Sequence, residues 1–285
     1  MAQPQATPAD IPFRTVEISD PAFERDGLRH VTVRSPALGR RADVTVWLPE
    51  AGPADGRPLP LVILLHGVYG SHWAWAGLGG AHLRLAAMIA EGRCNPMALA
   101  MPSDGLWGDG SGYLPRPGED AEAWVVQEVP RVVQLLAPEA AKGGVGVAGL
   151  SMGGYGALRL AALHPQWCAA AAALSPITRR DQLRHFVAEP LDAYPEVPNS
   201  ADVGELLAAA GTDLPPLLVA CGTEDPLLGA SRALHTRLDH AGVAHVYLEG
   251  KGGHSWSYWS ATLPAVVEFM DRCFAARSPA RSKGA

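Results

Sequence analysis

Apolar and polar positions change period several times along the chain, and each change marks an element. Residues 29–35 and 42–48 alternate or run apolar and β-branched, with Pro36 and Gly39 between them, which predicts an antiparallel hairpin. After a Pro/Gly loop over 49–60, Leu61-Val-Ile-Leu-Leu65 is continuously apolar, the pattern of a strand buried on both faces of a parallel sheet. Helical spacing follows at about 80–92 and a second buried strand at about 97–101. Residues 102–118 are glycine-rich and fit neither period, and a long loop at the end of a strand is where sites tend to be built. A helical stripe with acids in its first turn covers 119–136. A further short strand enters an alanine-rich helix near residue 151. Strands at 169–174, 217–221 and 244–248 come next, with helices at about 227–241 and 257–275. Between them, 176–212 is a proline-interrupted excursion expected to cover part of whatever opens at the strand ends. Alternation of strands and helices from residue 60 onward requires a mostly parallel central sheet with helices on both faces, the α/β class.

At 285 residues and 48% hydrophobic content, the chain buries a sizeable core and is expected to form one domain over 28–276. Residues 1–27 are expected to be an N-terminal extension, and the small, basic segment 277–285 a disordered tail. A net charge of −6 without long charged blocks argues against nucleic acid and against electrostatic attachment to a membrane. No stretch of about 18 apolar residues occurs, and the first ten residues lack a basic region followed by an apolar one. The expectation is a cytoplasmic protein whose partner is a small molecule, with a homo-oligomer left open. Cys94, Cys168, Cys221 and Cys273 are widely spread in apolar patterns and read as buried thiols. With no Cys/His ligand spacing, and with Asp104 and Asp109 matching no calcium cage, neither a metal nor a cofactor is expected.

Candidate chemistry concentrates in Gly149-Leu-Ser151-Met-Gly153, set between the short strand and the alanine-rich helix. That context defines a nucleophile elbow, in which a tight turn holds a serine hydroxyl out toward an imidazole and backbone donors. The matching partners follow in the order acid, then histidine. Asp225, in Gly222-Thr-Glu-Asp-Pro at the end of a buried strand, is the expected acid, with neighbouring Glu224 as the main rival and a helix N-cap as the plain structural alternative. His254, in Gly250-Lys-Gly-Gly-His-Ser-Trp after the last strand, is the general base. His30, His164, His235, His240 and His245 have no motif around them and read as structural. Two backbone N–H groups should form an oxyanion hole: that of Met152, and that of Val68 in the loop opened by His66-Gly67, which His66 braces. Trp107 and Tyr113 of the glycine-rich loop, Tyr69 beside Val68, and Trp256 beside His254 are expected substrate contacts. For Trp256 and Trp259, packing of the last helix on the sheet is the preferred reading, with a wall of the pocket as the other.

Taken together, Leu-Leu-His66-Gly, Gly-Leu-Ser151-Met-Gly-Gly-Tyr-Gly-Ala, Cys-Gly-Thr-Glu-Asp225 and Gly-Gly-His254-Ser-Trp-Ser-Tyr-Trp resemble the "putative esterase" family of α/β-hydrolases over about residues 28–275. That family includes esterase D-like S-formylglutathione hydrolases, tributyrin and feruloyl esterases, enterochelin esterases and mycolyltransferases. The resemblance implies an α/β-hydrolase fold and a serine esterase with Ser151, Asp225 and His254 as its triad. The expected activity is hydrolysis of short-chain or small aryl carboxylic esters through an acyl-enzyme. An S-formylglutathione hydrolase-like thioesterase or an acyltransferase would use the same residues, and a hydrolase fold kept only for binding is the alternative from another class.

Overall fold

In a computed structural model, described here for residues 13–54, 56–194 and 201–277, the chain builds one nine-stranded sheet in the order β1-β2-β3-β5-β4-β8-β9-β10-β11. β1 (Val16–Ile18), β2 (Leu28–Arg34) and β3 (Arg41–Trp47) are antiparallel, and β3 joins β5 (Ala98–Pro102) antiparallel as well. The β2–β3 pair is the hairpin expected from the pattern. β1 lies within the segment read as an extension and pairs with β2 through Val16↔Val33, forming the sheet edge. From β5 across, β4 (Leu61–Leu65), β8 (Val145–Leu150), β9 (Cys168–Leu174), β10 (Leu217–Gly222) and β11 (His245–Gly250) are all parallel. A two-stranded ribbon of β6 (Pro115–Arg116) and β7 (Glu119–Asp120) ends the glycine-rich loop.

Alternation along the strands separates two cores. Leu61, Ile63 and Leu65 of β4 enter one, together with Val147 of β8 and Val219 of β10, whereas Val62, Leu64, Ala148 and Ala220 enter the other. The first core is covered by α4 (Val129–Leu136), α5 (Met152–Leu163), α6 (Val203–Ala210) and α7 (Leu228–His240), reached through the single turn α3 (Ala121–Ala123). The second is covered by α1 (Ala74–Gly77), α2 (Ala81–Ala90) and α8 (Trp256–Arg277). Helices therefore lie on both faces, as continuous apolar strands demand. The helix expected over 119–136 is interrupted by a π-turn at Trp124–Glu128. Pro130 has no N–H for an α-helical bond and its ring crowds the preceding turn, and the wider turn just before it accommodates both.

Among the described residues no helix is long and apolar enough to cross a membrane. All four cysteines are free thiols, and burial raises the Cys94 thiol to about 11. Residues 278–285, most of the segment read as a tail, lie outside the described residues; Arg277 closes α8 and donates a hydrogen bond to the Cys168 carbonyl at 2.8 Å.

Candidate active site

Five neighbouring strands end at the same edge of the sheet, and each delivers a residue to one place. β4 and β8 are in register, Leu65 opposite Gly149, so the loop at His66 and the turn at Ser151 emerge side by side. Ser151 has φ +53° and ψ −116°, a strained conformation for a residue with a Cβ. Its flanking glycines are required by contact: a Cβ on Gly149 would sit 2.1 Å from the Gly153 carbonyl oxygen, and one on Gly153 would sit 2.3 Å from that of Leu65. The turn therefore presses against its neighbours on both sides. Ser151 is held in it by its N–H, which donates to the Leu174 carbonyl at 2.9 Å.

β10 and β11 bring the remaining two groups. A Cβ on Gly222 would be 2.2 Å from the Gly252 carbonyl oxygen, so the loops after these strands touch, and the Glu224 N–H donates to that carbonyl at 2.9 Å. This contact places Asp225 against His254. The His254 Nε2 lies 3.0 Å from Ser151 Oγ, and its Nδ1 lies 3.1 and 3.0 Å from the two Asp225 carboxylate oxygens. Glu224, the rival acid, is solvent-exposed and makes no such contact. The Asp225 side chain is 0% exposed and His254 19%. Burial by itself would raise the Asp225 pKa. Hydrogen bonds from His254, the Ser175 hydroxyl and the Leu227 N–H outweigh it and hold the carboxyl below its ordinary value.

Ser175 and Phe186 are parts of this site that spacing did not single out, and Trp259 takes part in it beyond packing. Ser175 follows β9 at φ +46°, is fully buried, and accepts a hydrogen bond from the Trp259 indole at 3.1 Å, and its hydroxyl helps to lower the Asp225 pKa. The Trp259 ring also meets His254 edge-on, with centroids 5.0 Å apart. The expectation that this tryptophan only packs the last helix is thus incomplete. Phe186, from the 176–212 excursion, lies nearly parallel over the His254 ring at 5.8 Å and 18°. The one available signal for Ser175 was its place directly after a buried strand neighbouring the elbow strand. For Phe186 there was none.

At the expected oxyanion hole, a Cβ on Gly67 would lie 3.4 Å from the Ser151 Cβ, so the loop carrying Val68 passes directly beside the serine. Among the described residues, neither the Val68 N–H nor the Met152 N–H is taken up by a turn or loop hydrogen bond. His66 braces this loop through its Nδ1, 2.7 Å from the Gly67 carbonyl. Tyr113 requires correction as a substrate contact: it is 0% exposed, and its hydroxyl donates to the His66 carbonyl at 3.1 Å, underpinning the same loop. The cause is Asp104, whose carboxylate accepts from the N–H groups of Leu106 and Ser111 and folds the glycine-rich loop inward. Trp256 also moves out of the expected role, because its ring fits edge-on between Trp75 and Trp259 in the α1–α8 interface. Tyr69 is 68% exposed beside Val68, and Trp107 is half-buried, with Arg116 above its ring at 3.3 Å and Tyr194 at its edge.

Two loops roof the site and are joined to each other. The Asp109 carboxylate accepts from the Ala188 N–H at 2.8 Å, Glu189 accepts from the Asp109 N–H, and the Tyr194 hydroxyl donates to the Gly110 carbonyl. Asp109 also accepts the Tyr69 N–H on its backbone carbonyl at 2.7 Å.

A serine, a histidine and a buried carboxylate in hydrogen-bonded series at the carboxyl edge of a parallel sheet are the arrangement of an α/β-hydrolase. Residues 35–270 match the model of the family described as "Putative esterase", and the chain belongs to that family of ester-cleaving hydrolases. The chain is similar to an acetyl esterase of Caldicellulosiruptor saccharolyticus, 28% identical over 276 residues, covering 86% of this chain and 98% of the relative. Its fold is similar to that of a ferulic acid esterase, with a TM-score of 0.72 at 23% identity over 92% of this chain and 99% of the other. It is also similar to an S-formylglutathione hydrolase of Staphylococcus aureus, with a TM-score of 0.71 at 21% identity over 89% and 99%.

Proposed function

We propose that the protein is a serine carboxylesterase for short-chain or small aryl esters, working through an acyl-enzyme on Ser151. The observation that carries this reading is the unbroken series from Ser151 Oγ through the His254 imidazole to the Asp225 carboxylate, each step within 3.1 Å. Ser151 Oγ attacks the ester carbonyl carbon while His254 Nε2 takes its proton. Asp225, kept ionised by its hydrogen bonds, holds the imidazole by Nδ1 and stabilises the imidazolium. The N–H groups of Val68 and Met152 receive the oxyanion. Collapse of the tetrahedral species breaks the carbon–oxygen bond to the alcohol, which leaves with the proton from His254. Water then attacks the acyl-enzyme, His254 again serving as base, and the acid is released with Ser151 regenerated.

Small substrates are favoured by the roof. Phe186 lies over the His254 ring, and the loops at 104–113 and 186–194 are hydrogen-bonded to each other next to it, while Tyr69 is an exposed aromatic surface beside Val68. The acetyl esterase relative supports the same acyl size. The deciding experiment is turnover of p-nitrophenyl esters from acetate to octanoate, with S-formylglutathione alongside and Ser151→Ala as blank. Ser151-dependent hydrolysis falling steeply with chain length is the expected result. A preference for the thioester would replace the reading with thioester hydrolysis, and no serine-dependent turnover would remove it.

A further inference from the structure

Three potential metal-binding residues outside the active site come together where α7 meets the start of β11. His235 and Asp239 stand one turn apart on α7, His245 opens β11, and one donor atom from each lies within 4.8 Å of the others. We propose that this trio binds a divalent first-row transition ion of the zinc type, a role that leaves the ester chemistry untouched.

The donors are already oriented. His245 Nδ1 is 2.8 Å from the Val243 carbonyl, where only an N–H can be accommodated, so the lone pair of the neutral ring is on Nε2. A backbone carbonyl that fixes the tautomer in this way is the usual support of a histidine ligand. That Nε2 is 2.8 Å from His235 Nδ1, and the His245 side chain is 2% exposed. The His235 ring is fixed in turn, stacked on Tyr247 with centroids 4.3 Å apart and planes 5° from parallel.

The distances among the three donors suit an ion. With both rings neutral, His235 Nδ1 donates to His245 Nε2, which leaves the His235 Nε2 lone pair facing Asp239 Oδ2 at 3.5 Å, acceptor against acceptor. An ion bound to His235 Nδ1 and His245 Nε2 displaces the shared proton onto His235 Nε2, where it faces the carboxylate. Tetrahedral coordination with Zn–N bonds of about 2.0–2.1 Å separates two nitrogens by about 3.3 Å, so the rings part by roughly half an ångström. His235 is 35% exposed on a helix surface, and a half-ångström shift of its ring in its own plane keeps the stack on Tyr247. Asp239 Oδ1, 4.0 Å from His245 Nε2, completes a two-nitrogen, one-oxygen set and leaves a position for water. Imidazole donors select zinc, nickel, cobalt or copper over magnesium and calcium. Glu249, the carboxylate on β11, is held in a two-point pair with Arg232 at 2.7 Å.

His245 and the catalytic loop occupy opposite ends of β11, about 17 Å apart at ~3.3 Å per residue, so bound metal has no path to His254 along the strand. Its effect falls on the edge strand, which it ties to α7.

The test uses the untagged full chain, stripped with chelator. Co²⁺ titration followed by visible absorption and Zn²⁺ titration by calorimetry are each expected to give one equivalent bound in the micromolar range, with Zn²⁺ raising the melting temperature. His235→Gln and Asp239→Asn alter partly exposed positions and are expected to fold and to hydrolyse p-nitrophenyl acetate as wild type does. His235→Gln should weaken binding by at least about tenfold, as loss of a direct ligand exceeds the usual effect of losing a supporting residue. His254→Ala should bind the ion as tightly as wild type. No saturable binding in the micromolar range would overturn the proposal. So would full affinity in His235→Gln, or loss of the bound equivalent in His254→Ala, which would place the ion in the active site.

Discussion

The two edges of the parallel sheet are built under different rules. At the carboxyl edge, Tyr69, Leu106, Tyr113, Ser151 and Ser175 all adopt positive φ, and glycines 149, 153 and 222 are pressed against backbone within 2.3 Å of where a Cβ would be. Of the other described non-glycine residues, only Asp26 and Ala141 share that backbone region. Before β8, at the amino edge, such positions are fewer, with Ala141 at positive φ and Gly143 crowded by the Pro58 carbonyl oxygen at 2.3 Å; away from the site the structure also relies on paired side chains, such as Arg159 on Glu122 at 2.6 Å with His164 on the same carboxylate at 2.7 Å. Backbone strain costs of order 1–3 kcal/mol per residue and persists only where the surroundings over-determine it. Its concentration at one edge marks where geometry has been favoured over stability.

Substitutions should therefore separate the two regions by what they damage. The largest effect is expected for Ser151→Ala, a fall in kcat of roughly 10⁶-fold by analogy with a serine protease, with stability within about 1–2 kcal/mol of wild type. Ester turnover and urea melts on the same preparation check both parts, and near wild-type hydrolysis would remove Ser151 from the mechanism. Asp225→Asn should lower kcat by about 10⁴-fold because the imidazole is held in the wrong tautomer; an equal loss in Glu224→Gln would contradict the assignment. Away from the site, Glu122→Ala leaves Arg159, only 3% exposed, without its partner. It should cost about 3–5 kcal/mol in folding with kcat unchanged at a temperature where the variant is folded. A Glu122→Ala protein that loses activity but not stability would show that the two regions are not independent.

The smallest effect is expected at Ser175. Ser175→Ala removes one hydrogen bond from Asp225, about 1.5–3 kcal/mol for a bond to a charged group. In wild type, the depressed Asp225 pKa contributes stability that is present above the unfolded value, near 3.8, and is lost as pH falls through the lower folded value. Without the Ser175 hydroxyl the folded pKa rises, so the acid-side loss should begin at higher pH. Stability measured against pH for the two proteins gives the comparison, and superimposable curves would exclude the bond.

Much of this was legible before any coordinates. Unbroken apolar runs such as Leu61–Leu65 identify strands covered on both faces, and the glycines around Ser151 identify a turn with no room for side chains. Asp225 and His254 are legible as candidates because each stands in a glycine-bearing loop directly after a strand of the sheet. Ser175 follows β9 without any such marker, and its role arises from register, since Leu174 pairs with both Leu150 and Ala220. Tyr113 was misjudged for a related reason: glycine-rich composition implies an exposed loop, but the Asp104 carboxylate binds two of its N–H groups and turns it inward. The single turn α1 is too short to impose a period, and β1 has three residues. Periodicity reports an element's environment, whereas contacts between loops depend on which strand ends the sheet order makes adjacent.

Asp109, in the 104–113 segment, accepts one bond from the loop carrying Val68 and Tyr69 and another from the excursion, so it joins the two roof segments to each other and to that loop. In evolutionary terms they form one exchangeable cassette and not two. Recombination that imports 186–194 from a relative without its matching 104–113 would break the joint and disturb the oxyanion loop, so change in acyl preference within this lineage should proceed by paired replacement of both segments.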